Sequence, residues 1–252
     1  MLKIGILGAM LEEVSFIKNK MQINNVHEIG GRQYFEGQLH GIDTVLVFSR
    51  WGKVASSSTV TTLINHFGAN LVFFTGVAGA VSKELNIGDI VISEALYQHD
   101  MDARPLFKRH QIPLTNQILF KTNEHYREIT KESAHNFLQK IKTEIPENTL
   151  SLFSISSPKV YVGLIASGDQ FITNADVHDS LKFEGENVMA VEMEGAAVAQ
   201  VCEEHSIPYI IIRTISDTAD HSAVINFQEF IIEIAARYSE GIVSMIYQQI
   251  NS

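Results

Sequence analysis

The chain has 252 residues, which is enough for one large α/β domain or two small ones. Hydrophobic residues make up 45% and charged residues 19%, a balance that supports a sizeable core and excludes long disordered segments. The net charge of −10 and the lack of a Lys/Arg-rich run argue against nucleic acid and anionic membranes as partners. With one cysteine, Cys202, no signal peptide pattern and no apolar run of membrane-spanning length, we expect a soluble cytoplasmic protein.

Short apolar runs alternate with helical patterns along the whole chain. Strands are predicted, in chain order, at 4–7, 32–39, 43–49, 71–74, 90–93, 159–166, from 189 and at 209–212. Helices are predicted from about residue 11, at 54–67, within the charged amphipathic region 117–142, at the periphery within 176–187, from 195 and at 227–249. We find no internal repeat and no linker, so a single α/β domain over 1–252 is the simplest interpretation.

Several predicted strands end in turns that carry glycine or acids. In α/β folds such ends converge on one face, where ligands bind. Structural roles are equally open at this point, because Gly and Ala suit close helix packing, and acids often cap helices or complement the helix dipole. The turns in question are 8–13, 75–80, 167–172, 192–195 and 213–217, the last followed by Asp220.

Familiar cofactor motifs do not fit these turns. The spacing of Gly5 and Gly8 is wrong for a dinucleotide fingerprint, and no GK[ST] follows the turn at 75–80, so a P-loop is excluded. A metal site built from His99, Asp100 and Asp102 is disfavoured, because its ligands would be nearly consecutive on one loop. These turns therefore match neither of the two nucleotide-binding motifs.

Five motifs together resemble the 5′-methylthioadenosine/S-adenosylhomocysteine nucleosidases of the purine nucleoside phosphorylase-like superfamily. The resemblance covers about residues 2 to 248, in family order, through GILGAMLEEV, TGVAGA, ASGDQFI, VEMEGAAVAQVC and RTISDTAD. It implies a three-layer α/β/α sandwich with a mixed central sheet, and irreversible hydrolysis of the adenine–ribose bond in 5′-thio-substituted nucleosides. It also implies that neither a metal nor an organic cofactor is used, and that the protein is a homodimer in which a loop of each subunit completes the neighbour's pocket.

The resemblance implies an acid and a base for this reaction. Adenine leaves more easily when its N7 is protonated, which requires a carboxylic acid that stays protonated beside the base. The motif gives that role to Asp217, held by Ser216. Water must then be activated by Glu13, with Glu12 as the alternative one position away. The acid usual in the family at the position of Leu11 is taken as non-catalytic.

The remaining site residues are implied by the same motifs. Glu194 is expected to accept hydrogen bonds from the ribose hydroxyls, Phe171 to stack on adenine, and Arg213 to order carboxylates and water. Further contacts to the substrate are expected from Met10, Trp51, Ala78, Gly79, Ile172, Met193 and Phe227. From the partner subunit we expect Ala103, Leu106, Phe107 and Pro113.

Two residues depart from the family pattern. Val77 stands where many members have Ser, which removes a hydroxyl that could position water, and Trp51 stands where a smaller aliphatic residue is common. The acid and the base are unaffected. The rival interpretations are a catalytically inactive nucleoside sensor, a nucleoside phosphorylase, and a nucleosidase for another purine nucleoside such as aminofutalosine.

Overall fold

The computed structural model describes residues 1–172, 181, 187–217 and 227–251. The described residues form ten strands, with helices between several of them. The strands are β1 (Lys3–Gly8), β2 (Gln22–Ile29), β3 (Arg32–Leu39), β4 (Ile42–Phe48), β5 (Leu71–Ala80), β6 (Ile90–Gln98), β7 (Phe120–Lys121), β8 (Val160–Ser167), β9 (Val188–Glu192) and β10 (Tyr209–Asp217). The helices are α1 (Leu11–Lys18), α2 (Lys53–Asn65), α3 (Glu124–Gln139), α4 (Ile141–Glu144), α5 (Glu147–Leu152), α6 (Gly195–Glu204), α7 (Phe227–Phe230) and α8 (Ala236–Ile250), the last two joined by a π-helical turn at Ile231–Ala235.

All ten strands belong to one mixed sheet, ordered β10-β6-β8-β9-β5-β1-β4-β3-β2, with β7 beside β6. Strands β4, β1, β5 and β10 run parallel to one another, whereas β6, β8 and β9 run the opposite way. Strand β10 also pairs with β5, so five strands close into a ring and the sheet curls on itself. The mixed central sheet confirms the predicted fold class.

Helices cover both faces of the sheet. Helix α8 contacts α1 and α3 on one face, and α2 contacts α6 on the other. Each face of the sheet has its own apolar core. On β5, Phe73 belongs to the core that contains Phe137 and Tyr238, whereas its neighbour Phe74 belongs to the core that contains Val198. This follows from the two-residue period of a strand, which sends successive side chains to opposite faces.

Strands β5 and β2 differ from the prediction. Strand β5 continues to Ala80, because the small residues after Phe74 still pair with β10 and β9. Strand β2 was not predicted, since its residues are mostly polar and exposed on the sheet edge. Helix α3 lies within the predicted amphipathic region 117–142, and its apolar side buries Phe137 and Ala134 against α8. The predicted helix within 176–187 lies almost wholly outside the described residues. No helix of the described part is both long and apolar enough to cross a bilayer.

Candidate active site

One cleft opens where the ends of β1, β5, β8, β9 and β10 meet. It encloses about 620 Å³ of space, part of it open to solvent, which is within the range of small-molecule sites. All five predicted turns contribute to its lining, the turn 8–13 through Ala9 and Met10. The lining consists of Ala9, Met10, Trp51, Val77, Ala78, Gly79, Gln170, Phe171, Ile172, Val191, Glu192, Met193, Glu194, Ser216, Asp217 and Phe227.

A β-bulge brings Ser216 and Asp217 into the cleft together. The register of β10 against β5 shifts between Ile215 and Asp217. In a regular strand two consecutive side chains would face opposite sides, and the bulge removes that restriction. Asp217 is only 7% exposed, and the hydroxyl of Ser216 donates to its Oδ2 at 2.7 Å. The serine therefore orients the carboxyl group at the cleft wall.

Glu13 is fully buried directly behind the turn that carries Ala9 and Met10. Its Oε2 accepts the backbone N–H of Met10 at 3.1 Å, a bond that caps α1, and its Oε1 accepts the hydroxyl of Ser239 at 3.3 Å. Burial raises the pKa of Glu13 to about 7, although the charge of Arg213 and these hydrogen bonds oppose the shift. Glu12, one position earlier, is partly exposed. A carboxyl group with this pKa can gain and lose a proton near neutral pH.

A buried ion pair joins Arg213 to Glu192. The guanidinium of Arg213, with no exposed surface, donates to Glu192 from Nη2 at 2.6 Å and from Nε at 3.2 Å. Glu192 also accepts the hydroxyl of Ser167 and the backbone N–H of Gly195. A side chain at Gly76 would meet the guanidinium at 3.0 Å, so glycine leaves the space that Arg213 occupies. The pair fixes one positive charge behind the cleft.

Glu194 is the second acid of the VEMEG motif and is 5% exposed. Its Oε1 accepts the backbone N–H of Gly52 at 2.8 Å, at the N-terminus of α2. Gly52 has φ of 90°, a conformation that favours glycine. Burial raises the pKa of Glu194 to about 7, and the charge of Glu192 adds to the shift while Arg213 opposes it. The cleft thus contains a second carboxyl group that titrates near neutrality.

A polar cluster holds the rim beside Glu194. The backbone N–H of Lys53 donates to Asp169 at 2.8 Å, and its ammonium donates to Asp100 at 2.7 Å and to Gln98 at 3.1 Å. Asp169 in turn donates its backbone N–H to Asp100 at 3.0 Å. These bonds tie the N-terminus of α2 to the loop that begins after β8. They employ Asp100 in an ion pair, and the described residues contain no group of three potential metal ligands.

Three aromatic side chains border the mouth of the cleft. Phe171 is 52% exposed and meets Phe227 edge to face, with ring centroids 6.0 Å apart. Trp51 is 59% exposed, and its indole N–H donates to the carbonyl of Ala9 at 3.1 Å. Trp51 therefore does not pack in the core. Exposed aromatic surface at a cleft mouth is suited to a flat, apolar ligand or to a partner chain.

Most predicted site residues are brought together. Those that line the cleft are Met10, Trp51, Ala78, Gly79, Phe171, Ile172, Met193, Glu194, Ser216, Asp217 and Phe227, while Glu13 and Arg213 lie one contact behind it. The loop residues Ala103, Leu106, Phe107 and Pro113 do not line their own chain's cleft. Asp220 lies outside the described residues.

Sequence reasoning missed several contributors. Glu192 lies in the predicted turn 192–195, but its hydrogen bond to Arg213 was not predicted. Ser239, on α8, carries no local signal at all, and only the fold brings it to Glu13. Gln170, in the motif ASGDQFI, lines the cleft, but it was not among the predicted site residues. The long-range partners of an acid cannot be read from its own segment.

Comparisons with known proteins agree with this geometry. The family model of the phosphorylase superfamily matches residues 3–246. A 5′-methylthioadenosine/S-adenosylhomocysteine nucleosidase of Haemophilus influenzae (strain PittEE) is 36% identical over 243 residues, which is 96% of this chain and 97% of the relative. The crystal structure of an S-adenosylhomocysteine nucleosidase from Streptococcus pyogenes, in complex with 5-methylthiotubericidin, is 34% identical, with a TM-score of 0.84 and coverage of 99% of this chain and 97% of that one. The native structure of a futalosine hydrolase of Helicobacter pylori strain 26695 is 33% identical, with a TM-score of 0.83 and coverage of 98% of both chains.

Proposed function

This chain belongs to the 5′-methylthioadenosine/S-adenosylhomocysteine nucleosidase family of the phosphorylase superfamily, and we propose that it hydrolyses the N-glycosidic bond of 5′-thio-substituted adenosines to adenine and a 5-thioribose. This proposal rests on one observation. One cleft, lined by Asp217, Glu194 and apolar surface and backed by the buried Glu13, coincides with a full-length match to nucleosidases.

The proposed chemistry assigns each carboxyl group a separate task. Asp217, oriented by Ser216, protonates N7 so that adenine leaves as a neutral base. Glu13 takes a proton from the attacking water as positive charge develops at C1′. Glu194 accepts hydrogen bonds from the ribose hydroxyls and stabilises that charge. Three acids in these roles also argue against a sensor that only binds nucleosides, because binding alone needs neither an acid nor a base.

The buried ion pair of Arg213 and Glu192 supports these separate roles of the carboxyl groups. Arg213 lies close enough to influence the pKa of both Glu13 and Glu194, and it favours their ionised forms. Its Nε and Nη2 are committed to Glu192, while Nη1 donates to the carbonyls of Phe74 and Ile212. We infer that Glu192 is a positioning residue, which holds the guanidinium at a fixed distance from the two reactive acids.

We expect hydrolysis, and not phosphorolysis, in phosphate-free buffer. A phosphate dianion needs several cationic or hydroxyl donors, yet the described lining contains no Lys or Arg, and Val77 presents a methyl surface. Phe74 is buried against the guanidinium of Arg213, 4.2 Å from the ring centre, so that cation is shielded. Product analysis by chromatography should find adenine and free 5-thioribose.

Added phosphate should leave the rate of adenine release unchanged. An activity that requires phosphate and yields a ribose 1-phosphate would show that the protein is a phosphorylase. A strong preference for a nucleoside of the kind that futalosine hydrolases cleave would instead change the substrate within the hydrolase class, and the structural similarity to such an enzyme is the reason to assay one.

We further propose a cytoplasmic homodimer in which the loop 101–113 of one subunit reaches the cleft of the other. Leu106 on this loop is 82% exposed, Trp51 at the cleft mouth is 59% exposed, and both would be covered in such a dimer. Leu106→Asp is expected to weaken the dimer and to lower kcat/KM by about tenfold, as for a central apolar interface residue.

Analytical ultracentrifugation combined with assays at the same concentrations tests the dimer. Leu152→Asp is the matched control, because Leu152 is also exposed, at 55%, but lies on α5. It should change neither the sedimentation nor the activity. A fully active wild-type monomer would refute the proposal.

A further inference from the structure

A second, basic groove adjoins the active-site cleft. It lies between α1, the β2–β3 turn and the end of β4, and its floor is apolar, with Phe35 and Val14 buried and Phe48 partly buried. We call it the basic groove. Its lining consists of Leu11, Val14, Ser15, Lys18, Gly31, Arg32, Gln33, Phe35, Phe48 and Arg50.

Of the residues that the structure describes, three cations and no acid line the basic groove, in a chain whose net charge is −10. Among the described residues none of the three forms an ion pair with a carboxylate. The ammonium of Lys18 lies 4.2 Å from the centre of the Phe35 ring. Three unneutralised cations over an apolar floor are complementary to an anion that carries a hydrocarbon portion.

The hydrogen bonds of the cations leave donors available. Arg32 donates to three backbone carbonyls, those of Ser49, Gly30 and Ala55, which hold it in place without neutralising its charge. Arg50 donates from one nitrogen, Nη2, to the carbonyl of Gly31. Since a guanidinium has five N–H groups, most donors of Arg50 have no acceptor among the described residues and are available to a ligand.

The backbone at two places, residues 10–11 and residues 50–51, forms the partition between the basic groove and the cleft. Met10 and Trp51 line the cleft, while their chain neighbours Leu11 and Arg50 line the groove. Consecutive Cα atoms are about 3.8 Å apart, so the partition is roughly one backbone thick. Arg50 has φ of 63°, a conformation uncommon for a residue other than glycine, and it places this cation at the partition.

We propose that the basic groove binds a carboxylate at the far end of a long 5′ substituent, while the adenosine portion occupies the cleft. The inference rests on the proposed nucleosidase function and narrows its substrate class. Methylenes of the substituent would cross the Met10–Trp51 rim and lie on the apolar floor, with the carboxylate at Arg50 and Lys18. An anionic tail gains more than a zwitterionic amino-acid tail, because the groove contains no acid to pair with an ammonium group.

The test compares substrates that differ only at the end of the tail. Adenosines with a 5′-carboxypropylthio or 5′-carboxypentylthio group are assayed against their carboxamides, with S-adenosylhomocysteine and methylthioadenosine alongside. For at least one chain length we expect kcat/KM of the carboxylate to exceed that of its carboxamide by about tenfold, the effect of one charge-assisted contact. The ratio should fall as ionic strength rises.

Neutral variants locate the effect. Arg50→Gln and Lys18→Gln should each lower the carboxylate-to-carboxamide ratio towards one. Lys20→Gln, which removes an exposed cation just past α1 and outside the groove, should leave the ratio unchanged. Two variants are used so that a folding defect in either one does not decide the outcome.

Two results would overturn the inference: equal kcat/KM for carboxylate and carboxamide at both chain lengths in the wild type, or equal losses on both substrates in the variants. Either would leave the proposed function intact provided methylthioadenosine is hydrolysed. Absence of hydrolysis of every adenosine in the panel would instead overturn the proposed function itself.

Discussion

Asp217→Asn is expected to lower turnover by about 100-fold or more, while a non-reactive adenosine analogue still binds. Asparagine keeps the shape of the side chain and can accept the hydroxyl of Ser216, but it cannot deliver a proton to N7. Asp217 is almost fully buried at the cleft wall, so solvent water is poorly placed to replace it. Steady-state kinetics and calorimetric titration with the analogue separate the two effects.

Two comparisons make this prediction specific. Asp43→Asn alters a carboxylate on β4 that accepts a hydrogen bond from Gln38 and lies away from the cleft, so its kinetics should match the wild type. Ser216→Ala removes the orienting hydroxyl and leaves the acid, and should cost less than loss of the acid itself. Turnover close to wild type in Asp217→Asn would show that another group protonates the base.

The cleft could be predicted from local segments, because its residues follow buried strands and strand ends meet on one side of an α/β sheet. Asp217, Glu194 and Phe171 all come from such turns. The curling of the sheet was not predictable in the same way. It depends on β10 pairing with both β5 and β6, and this long-range choice leaves no periodic signal in any one strand.

The electrostatic environment was the least predictable part. Whether an acid is ionised depends on its burial and on charges that arrive from distant segments. Arg213 and Ser239 reach Glu13 across more than half of the chain. The rim cluster of Lys53, Asp100 and Asp169 likewise joins three segments that are distant from one another in the sequence.

Glu13→Gln is expected to lower kcat by about 100-fold or more, whereas Glu12→Gln should change it little. Both residues occupy the first turn of α1, where neighbours point about 100° apart, so only one can face the cleft wall. The structure buries Glu13 behind Met10 and leaves Glu12 partly exposed. An inactive Glu12→Gln with an active Glu13→Gln would place the base one position earlier.

The pH dependence gives this prediction a second, independent measurement. Burial raises the pKa of Glu13 and of Glu194 to about 7, and the proposed roles require both to be ionised. Below that pH, kcat/KM of the wild type should therefore fall by about 100-fold per pH unit, and the residual activity of Glu13→Gln by only about tenfold, because one titrating group is gone. An equal slope in both proteins would contradict the role of Glu13.

Thermal unfolding shows whether the Glu13→Gln variant is intact. The pKa of Glu13 in the folded protein, about 7, lies above its ordinary value of 4.5, so the unfolded chain binds fewer protons between these limits. Wild-type stability therefore contains a contribution that is present below pH 4.5 and is lost as the pH rises through about 7. Glutamine cannot ionise, so the variant lacks this loss, and its Tm at pH 8 should equal or exceed that of the wild type. An inactive variant with an undiminished Tm would tie the loss of turnover to the missing carboxylate, whereas a strongly lowered Tm would mean that Glu13 acts through the fold, as the cap of α1.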